Sequence, residues 1–332
     1  MDRDRLIAWI DPAHAPLVAR AASLAGLTVS AAGTPARGES QAVADALGAE
    51  PAPDLRAAVA SAERAVVLIT TAADLARSTP ALDHRTLLAA EGRGVRLSTT
   101  VPFPGSLMDA AEGGLLREQA GLRAADLIRV VPRVRHHPAY QAAAEVIEAF
   151  GPCGLLTVEA TAALPGGGLA SAWLAAIDAT LAQRGLPELV DAASSSPAKH
   201  LGELEGDLAA LFRFPDGGTA QVSASSHGGW GWRVAFQGPA GRLTLRTSGF
   251  DWFDRDGARR DEHRADERWR DQGEVLAAAL RELADASTPQ RPAAPWGEIF
   301  ATADAALLST RTGQPESPGT MLRAASSAGA TA

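Results

Sequence analysis

The chain has 332 residues, of which 46% are hydrophobic and 21% charged, and it carries a formal net charge of −8. That length suits two domains with well-filled cores. The acidic balance, with no basic stripe, argues against a nucleic-acid or anionic-membrane partner.

Two stretches organise the chain. Arg5–Pro16 (RLIAWIDPAHAP) and Arg64–Thr71 (RAVVLITT) are short apolar runs that end in loops and lead into helix-like patterns. That is the grammar of buried parallel strands feeding crossover helices. The first strand covers residues 5–10, and a helix runs from Pro12 to about Leu24, closed by Gly26. Beyond it lie a strand at Leu27–Ala32, a Gly/Pro loop from Gly33 to Gly38 and a helix at Glu39–Leu47. Asp54 caps a helix at Leu55–Ala62, and strand Val66–Thr70 comes next. A helix around Pro80–Ala90 and strands at Val95–Thr100 and Leu127–Val131 complete the alternation. The pattern predicts an α/β domain over residues 1–131 with a doubly wound parallel sheet.

After residue 131 the pattern changes. A helix is expected at Pro138–Phe150, a strand at Gly154–Ala162, and a helix at Ser171–Arg184 behind the glycine run Gly166–Gly168. Strand-like runs at Asp207–Arg213, Thr219–Ser225, Trp232–Phe236, Arg242–Arg246 and Phe250–Phe253 are separated by turn signals. With helices at Gln272–Ala284 and Ile299–Thr310, this predicts an α+β domain over 132–317 with a large, mostly antiparallel sheet. Residues 318–332, rich in Ser, Ala and Gly, are expected to form a flexible tail. The charged run Asp251–Asp271 reads as a solvated hairpin and helix start, anchored by Trp252 and Trp269.

Lys199 is the only lysine, so positive charge is nearly all arginine, a bias of genomic composition rather than function. Cys153 is the only cysteine, which excludes an intramolecular disulfide and a cysteine-based zinc site. The seven histidines are scattered, with no H-x-x-x-H or H-E-x-x-H spacing, so no metal site is expected. No charged and then apolar start segment and no run of membrane length occur, so a cytoplasmic location is expected.

Several second-domain stretches carry a family pattern. They are Arg135-His136-His137-Pro138-Ala139-Tyr140, then Leu211–Gly218 (LFRFPDGG), Phe236–Leu243 (FQGPAGRL) and Ala303–Gly313 (ADAALLSTRTG). In order and spacing the chain resembles the Gfo/Idh/MocA oxidoreductases across nearly all of residues 4–317. The resemblance implies a Rossmann-like first domain, a second domain that binds substrate and dimerises, and NAD(P)-dependent chemistry on sugars and cyclitols.

The residues that the resemblance would place in the chemistry are replaced. The three loop glycines fall on Asp11, Ala13 and Pro16, and glycine is needed there so that backbone N–H groups can approach a pyrophosphate. An aspartate ahead of a helix is a good N-cap in its own right. The ribose-binding acid after strand two is missing from Ala32-Gly33-Thr34-Pro35. In the T-P-x-x-x-H segment Thr70 remains, but Thr71 and Leu75 replace the proline and histidine. The E-K-P lysine falls on Val101, between Thr100 and Pro102. With Asp178 matched to the family's later aspartate, the reactive aspartate and histidine of the glycine-run helix become Ser171 and Ala175. Valine, serine and alanine supply no group whose pKa can be set near the working pH.

Other residues are candidates to stand in. His136, His137 and Tyr140 would lie near the interdomain cleft in the implied fold, with Lys199 a further candidate; all four also have bland readings as packing or loop residues. If a nucleotide binds at all, Ala13, His14, Arg37 and Thr70 are its candidates, and Arg37 would favour NADP over NAD. Arg135, His227, Trp230 and Trp232 are candidates for a sugar-like ligand, since two tryptophans among glycines offer stacking surface. His84 reads as a surface helix residue.

The expectation is a relative without hydride transfer and with no cofactor. It would act as a binding or partner subunit in carbohydrate or secondary metabolism. It is expected to form a homodimer through the second-domain sheet, or a heteromer with an active relative. The alternatives are an active NADP-dependent oxidoreductase with a rebuilt site, and a cofactor-independent lyase or hydratase using the histidine pair.

Overall fold

The computed structural model describes residues 4–71, 84–101, 127–131, 134–161, 168–196, 198–227, 229–287 and 294–331. Expectations that fall on Leu75, Pro102, Gly166 and Gly167 lie outside them. The chain divides into two units. The first is 1–132 with 165–167 and 272–294; the second is 133–164, 168–271 and 295–332.

In the first unit, strands β1 (Arg5–Trp9), β2 (Thr28–Gly33), β3 (Glu50–Pro51), β4 (Ala65–Ile69), β5 (Arg96–Thr99) and β6 (Ile128–Val130) form one sheet. Its order is β3-β2-β1-β4-β5-β6, and every adjacent pair is parallel. The chain reverses its direction of travel across the sheet between β1 and β4, the switch point where ligands bind in such folds. Every residue of β4 is buried, which is why it reads as a continuous apolar run. Helices α1 (Ala15–Ala25), α2 (Ser40–Leu47), α3 (Leu55–Ser61) and α4 (His84–Gly92) connect the strands. Gly26 closes α1 at φ 72°, the left-handed conformation glycine adopts without strain.

One helix changes domain. Gln272–Ala284 (α8) was expected within the second domain, and it belongs to the first unit. Its stripe of Val275, Leu276 and Leu280 is buried, it packs on α1, and the Arg281 guanidinium donates to the Leu24 carbonyl at 2.9 and 3.2 Å.

The second unit is built on an eight-stranded sheet of order β14-β13-β12-β11-β7-β10-β9-β8. The strands are β7 (Leu155–Thr161), β8 (Leu189–Ser194), β9 (Asp207–Arg213), β10 (Thr219–Ser225), β11 (Gly231–Gly238), β12 (Gly241–Arg246), β13 (Gly249–Phe253) and β14 (Arg259–Arg264). Only the β7–β10 pair is parallel. On one face Leu156, Val158, Ala160, Val222, Phe212 and Val234 are buried. Helix α7 (Gly168–Arg184) packs there against β7 and β10, and α9 (Trp296–Thr312) packs against β8. The opposite face bears Thr157, Glu159, Ser223 and Leu211, with a shallow groove of about 430 Å³ at one end lined by Glu159, Thr161, Ala193, Asp207 and Ser225.

The helix expected at 138–150 is two, α5 (Pro138–Gln141) and α6 (Ala144–Phe150). Residues 318–332, expected to be a flexible tail, instead carry helix α10 (Pro318–Thr331). Proline at its first position is pre-set for a helix and alanine favours one. Ala325 is buried, and α10 packs on α9, where Leu322 lies over Gly297.

Candidate functional site

The first constellation lies at the C-terminal ends of β1 and β4. After β1 the chain turns through a 3₁₀ helix, Pro12–His14, before α1. Asp11 N-caps that turn, its Oδ1 accepting the Ala13 N–H at 2.9 Å. The His14 N–H donates to the Asp11 carbonyl at 2.9 Å, and the Ala15 N–H to the Pro12 carbonyl. The Asp11 N–H donates to Thr70 Oγ1 at 3.2 Å, and Pro12 and Pro16 have no N–H. All six residues from Asp11 to Pro16 are thereby accounted for.

His14 is buried, with Nδ1 2.8 Å from Thr70 Oγ1. Thr70 Oγ1 already accepts the Asp11 N–H. The arrangement that satisfies every atom has its hydroxyl proton on His14 Nδ1, which leaves Nε2 as the protonated nitrogen. Burial lowers the His14 pKa from its usual value, and the nearby Asp11 carboxylate opposes this. His14 and Thr70 are thereby brought together. Ala13 is exposed beside them, and Arg37 is exposed in the loop after β2.

At the end of β2 stands Gly33, opposite Trp9. A Cβ at Gly33 would lie 2.4 Å from the Trp9 ring and 2.6 Å from the Ala52 carbonyl oxygen. Trp9 itself is buried. The indole and the Ala52 carbonyl together fill the space that a side chain at Gly33 would occupy, so an acid there has no room.

The second constellation lies in the second unit. His137 N-caps α5 and is only 1% exposed. Its Nδ1 accepts the Ala139 N–H at 3.1 Å, and its Nε2 lies 3.1 Å from the Trp269 carbonyl oxygen. A carbonyl can only accept, so Nε2 carries the proton and both ring nitrogens are committed. Burial lowers the His137 pKa to about 4, against a smaller effect of the Trp269 hydrogen bond. The ring meets Trp230 at 5.5 Å and Trp232 edge-on at 5.2 Å between centroids. Trp232 is buried, and its indole N–H has no hydrogen-bond partner among the described residues.

Tyr140 packs on Trp232, and its hydroxyl accepts from Gln183 Nε2 at 2.7 Å. Burial raises its pKa to about 12, with the Gln183 bond acting the other way. Arg135 Nε donates to Asp178 Oδ2 at 3.0 Å, joining the 3₁₀ turn Val134–His136 to α7. The Asp178 side chain is 3% exposed, and burial raises its pKa to about 6 despite the opposing arginine. Ser171, Ala175 and Asp178 fall on one face of α7, and Ala175 is the one residue from 169 to 181 that is not buried.

Lys199 is exposed, its N–H donating to Glu203 Oε2. His227 is exposed and closes a turn with Ser225. His136 is half-buried within the 3₁₀ turn. Val101, which stands at the lysine position, is fully buried. Asp11, Trp9 and Gly33 were not expected to act together. The only sequence signal for them was the absence of the loop glycines and of the ribose acid.

A six-stranded doubly wound parallel sheet in one unit and a large, mostly antiparallel sheet in the other define an α/β fold of two units. The chain has the fold of the Gfo/Idh/MocA oxidoreductases. No protein-family model matches it, and no curated protein does. It is similar in structure to an oxidoreductase from Agrobacterium radiobacter solved with NAD+, L-tartaric acid and magnesium. The two are 16% identical with a TM-score of 0.68, over 97% of this chain and 100% of that one. It is also similar to GenD2 from gentamicin A biosynthesis solved with NAD, at 18% identity and TM-score 0.65, over 96% and 97% of the chains. A myo-inositol dehydrogenase from Corynebacterium glutamicum matches at 16% identity and TM-score 0.62, over 94% and 98%. Among the described residues no helix is long and apolar enough to cross a membrane.

Proposed function

We propose that this protein descends from the Gfo/Idh/MocA oxidoreductases but holds no dinucleotide, and that it acts as a non-catalytic binding or partner subunit for a sugar-like ligand. The observation that carries this reading is the self-satisfied loop after β1. A pyrophosphate needs backbone N–H groups at a helix N-terminus. Here Asp11 uses them internally, the two prolines offer none, and a carboxylate stands where phosphate oxygens would lie. Trp9 over Gly33 supports the same conclusion on the ribose side. The residues present do not fit the cofactor that the neighbouring structures hold.

The reactive positions point the same way. Val101 is buried and aliphatic, and Ser171 and Ala175 replace the reactive pair on α7. His137 has both ring nitrogens committed within the fold, and burial holds Tyr140 protonated, its oxygen accepting from Gln183. In this reading the second-unit sheet pairs with another copy, or with an active relative, through the face opposite α7, on which Leu211 is exposed.

Titration with NADP(H) and NAD(H), by calorimetry or tryptophan quenching, tests the proposal. No saturable uptake at millimolar concentration is expected. Binding at micromolar concentration overturns it.

A further inference from the structure

Arg135 is held but not used up. Its Nε donates to Asp178 Oδ2, and its side chain remains 22% exposed. A guanidinium carries five N–H donors. No other side-chain hydrogen bond or ion pair of Arg135 occurs among the described residues, so the two Nη groups are unspent. Asp178 is rooted on α7, and the Gln141 side chain donates to the Arg135 carbonyl, so both ends of the residue are fixed.

The surroundings narrow what this edge can meet. Nε is anchored to the buried Asp178 carboxylate, which leaves the planar fork of the two Nη groups for a partner. A monoanionic carboxylate matches the planar fork with two parallel hydrogen bonds. Two residues along the chain, His137 stacks at a tilt on the half-buried Trp230, an aromatic surface suited to the C–H face of a ring.

We propose that Arg135 is the receptor for a carboxylate group, so that the second unit recognises a sugar acid rather than a neutral sugar. This rests on the reading of the chain as a binding subunit for sugar-like ligands.

The test uses the full chain and glucuronate as probe, with glucose and glucose 6-phosphate as comparators, read by calorimetry. Glucuronate should bind saturably, and glucose about tenfold or more weakly, a difference of about 1.4 kcal/mol. Arg135→Lys, which keeps the charge but loses the fork, should weaken glucuronate about tenfold or more. Arg135→Ala should abolish binding. Because Arg135→Ala strands a buried carboxylate, its fold is checked by circular dichroism, and Arg135→Lys carries the test if it fails. The carboxylate assignment is overturned by absent glucuronate binding, by glucose or glucose 6-phosphate binding as well, or by an unaffected Arg135→Lys. Equal binding of glucose and glucuronate leaves the binding-subunit reading standing. Uptake of NADP(H) overturns that reading and leaves the carboxylate result intact.

Discussion

At the end of β1, six consecutive residues use every backbone N–H they possess on their own loop or on Thr70. In the second unit, Arg135 spends only Nε on Asp178. The two regions also treat histidine differently. His137 has both nitrogens bound and is a structural cap, whereas His14 is tied through Nδ1 alone. A polar group fully satisfied within the fold stabilises that fold and has nothing left for a ligand. A polar group that is oriented but unspent is the better candidate for recognition. By that criterion the loop backbone after β1 has nothing left for a phosphate, whereas Arg135 in the second unit and Nε2 of His14 in the first are oriented and unspent.

The sharpest way to break this contrast is to restore the acid at the end of β2. Gly33→Asp places a Cβ 2.4 Å from the Trp9 ring and buries a carboxylate. It should destabilise the protein by about 3 kcal/mol or more, read by urea unfolding. Adding Trp9→Val should cost less in that background than in the wild type, because removing the ring relieves one of the two clashes and leaves only that with the Ala52 carbonyl. Strict additivity of the two changes would show that Trp9 does not exclude the acid.

How much of the fold was legible in the sequence depends on the range of each interaction. β4 and β1 announce themselves as apolar runs, and β9 and β10 by their alternation. β3 has two residues and β14 is charged and wholly exposed, so neither carries a hydrophobic signal of its own. The composition of residues 318–331 resembles a linker, and only packing on α9 separates an alanine-rich helix from one. Nor does chain order reveal that α8 returns to the first unit, since that depends on a stripe meeting α1. In the site, the loss of glycines and of the ribose acid was readable. Its cause was not, because Trp9 and Gly33 are 24 positions apart in the chain and meet only through the β1–β2 register. The Arg135–Asp178 pair likewise joins residues 43 apart.

A second test exploits the two buried titrating groups of the second unit. Asp178 has a pKa raised to about 6, so the folded state prefers its protonated form. That preference stabilises the fold fully below the ordinary carboxylate range and is lost as pH rises through about 6. His137 has a pKa lowered to about 4, so the fold prefers it neutral. Its contribution is complete above the usual histidine value and is lost as pH falls toward about 4. Between about pH 4 and 6 the two slopes oppose each other, each up to about 1.4 kcal/mol per pH unit. His137→Asn keeps an N-cap and removes one slope, so its stability relative to wild type should rise as pH falls. Asp178→Asn should show the reverse. Urea midpoints of the three proteins across this range read both, and parallel curves for all three would refute the opposition.

The smallest expected effect bears most directly on the first loop. Asp11→Ala removes the carboxylate that accepts the Ala13 N–H and should cost about 1 kcal/mol, as loss of an N-cap usually does. It frees one donor at the mouth of the parallel sheet. Pro12 and Pro16 still lack an N–H, His14 and Ala15 still donate to backbone carbonyls, and Trp9 still fills the strand end. One released N–H cannot supply what several converging donors and a helix dipole provide for a pyrophosphate. The variant should therefore lose stability and gain no affinity for NADP(H). If it did take up the nucleotide, a single carboxylate would be the whole barrier, and the loop would be a blocked cofactor site rather than a dismantled one.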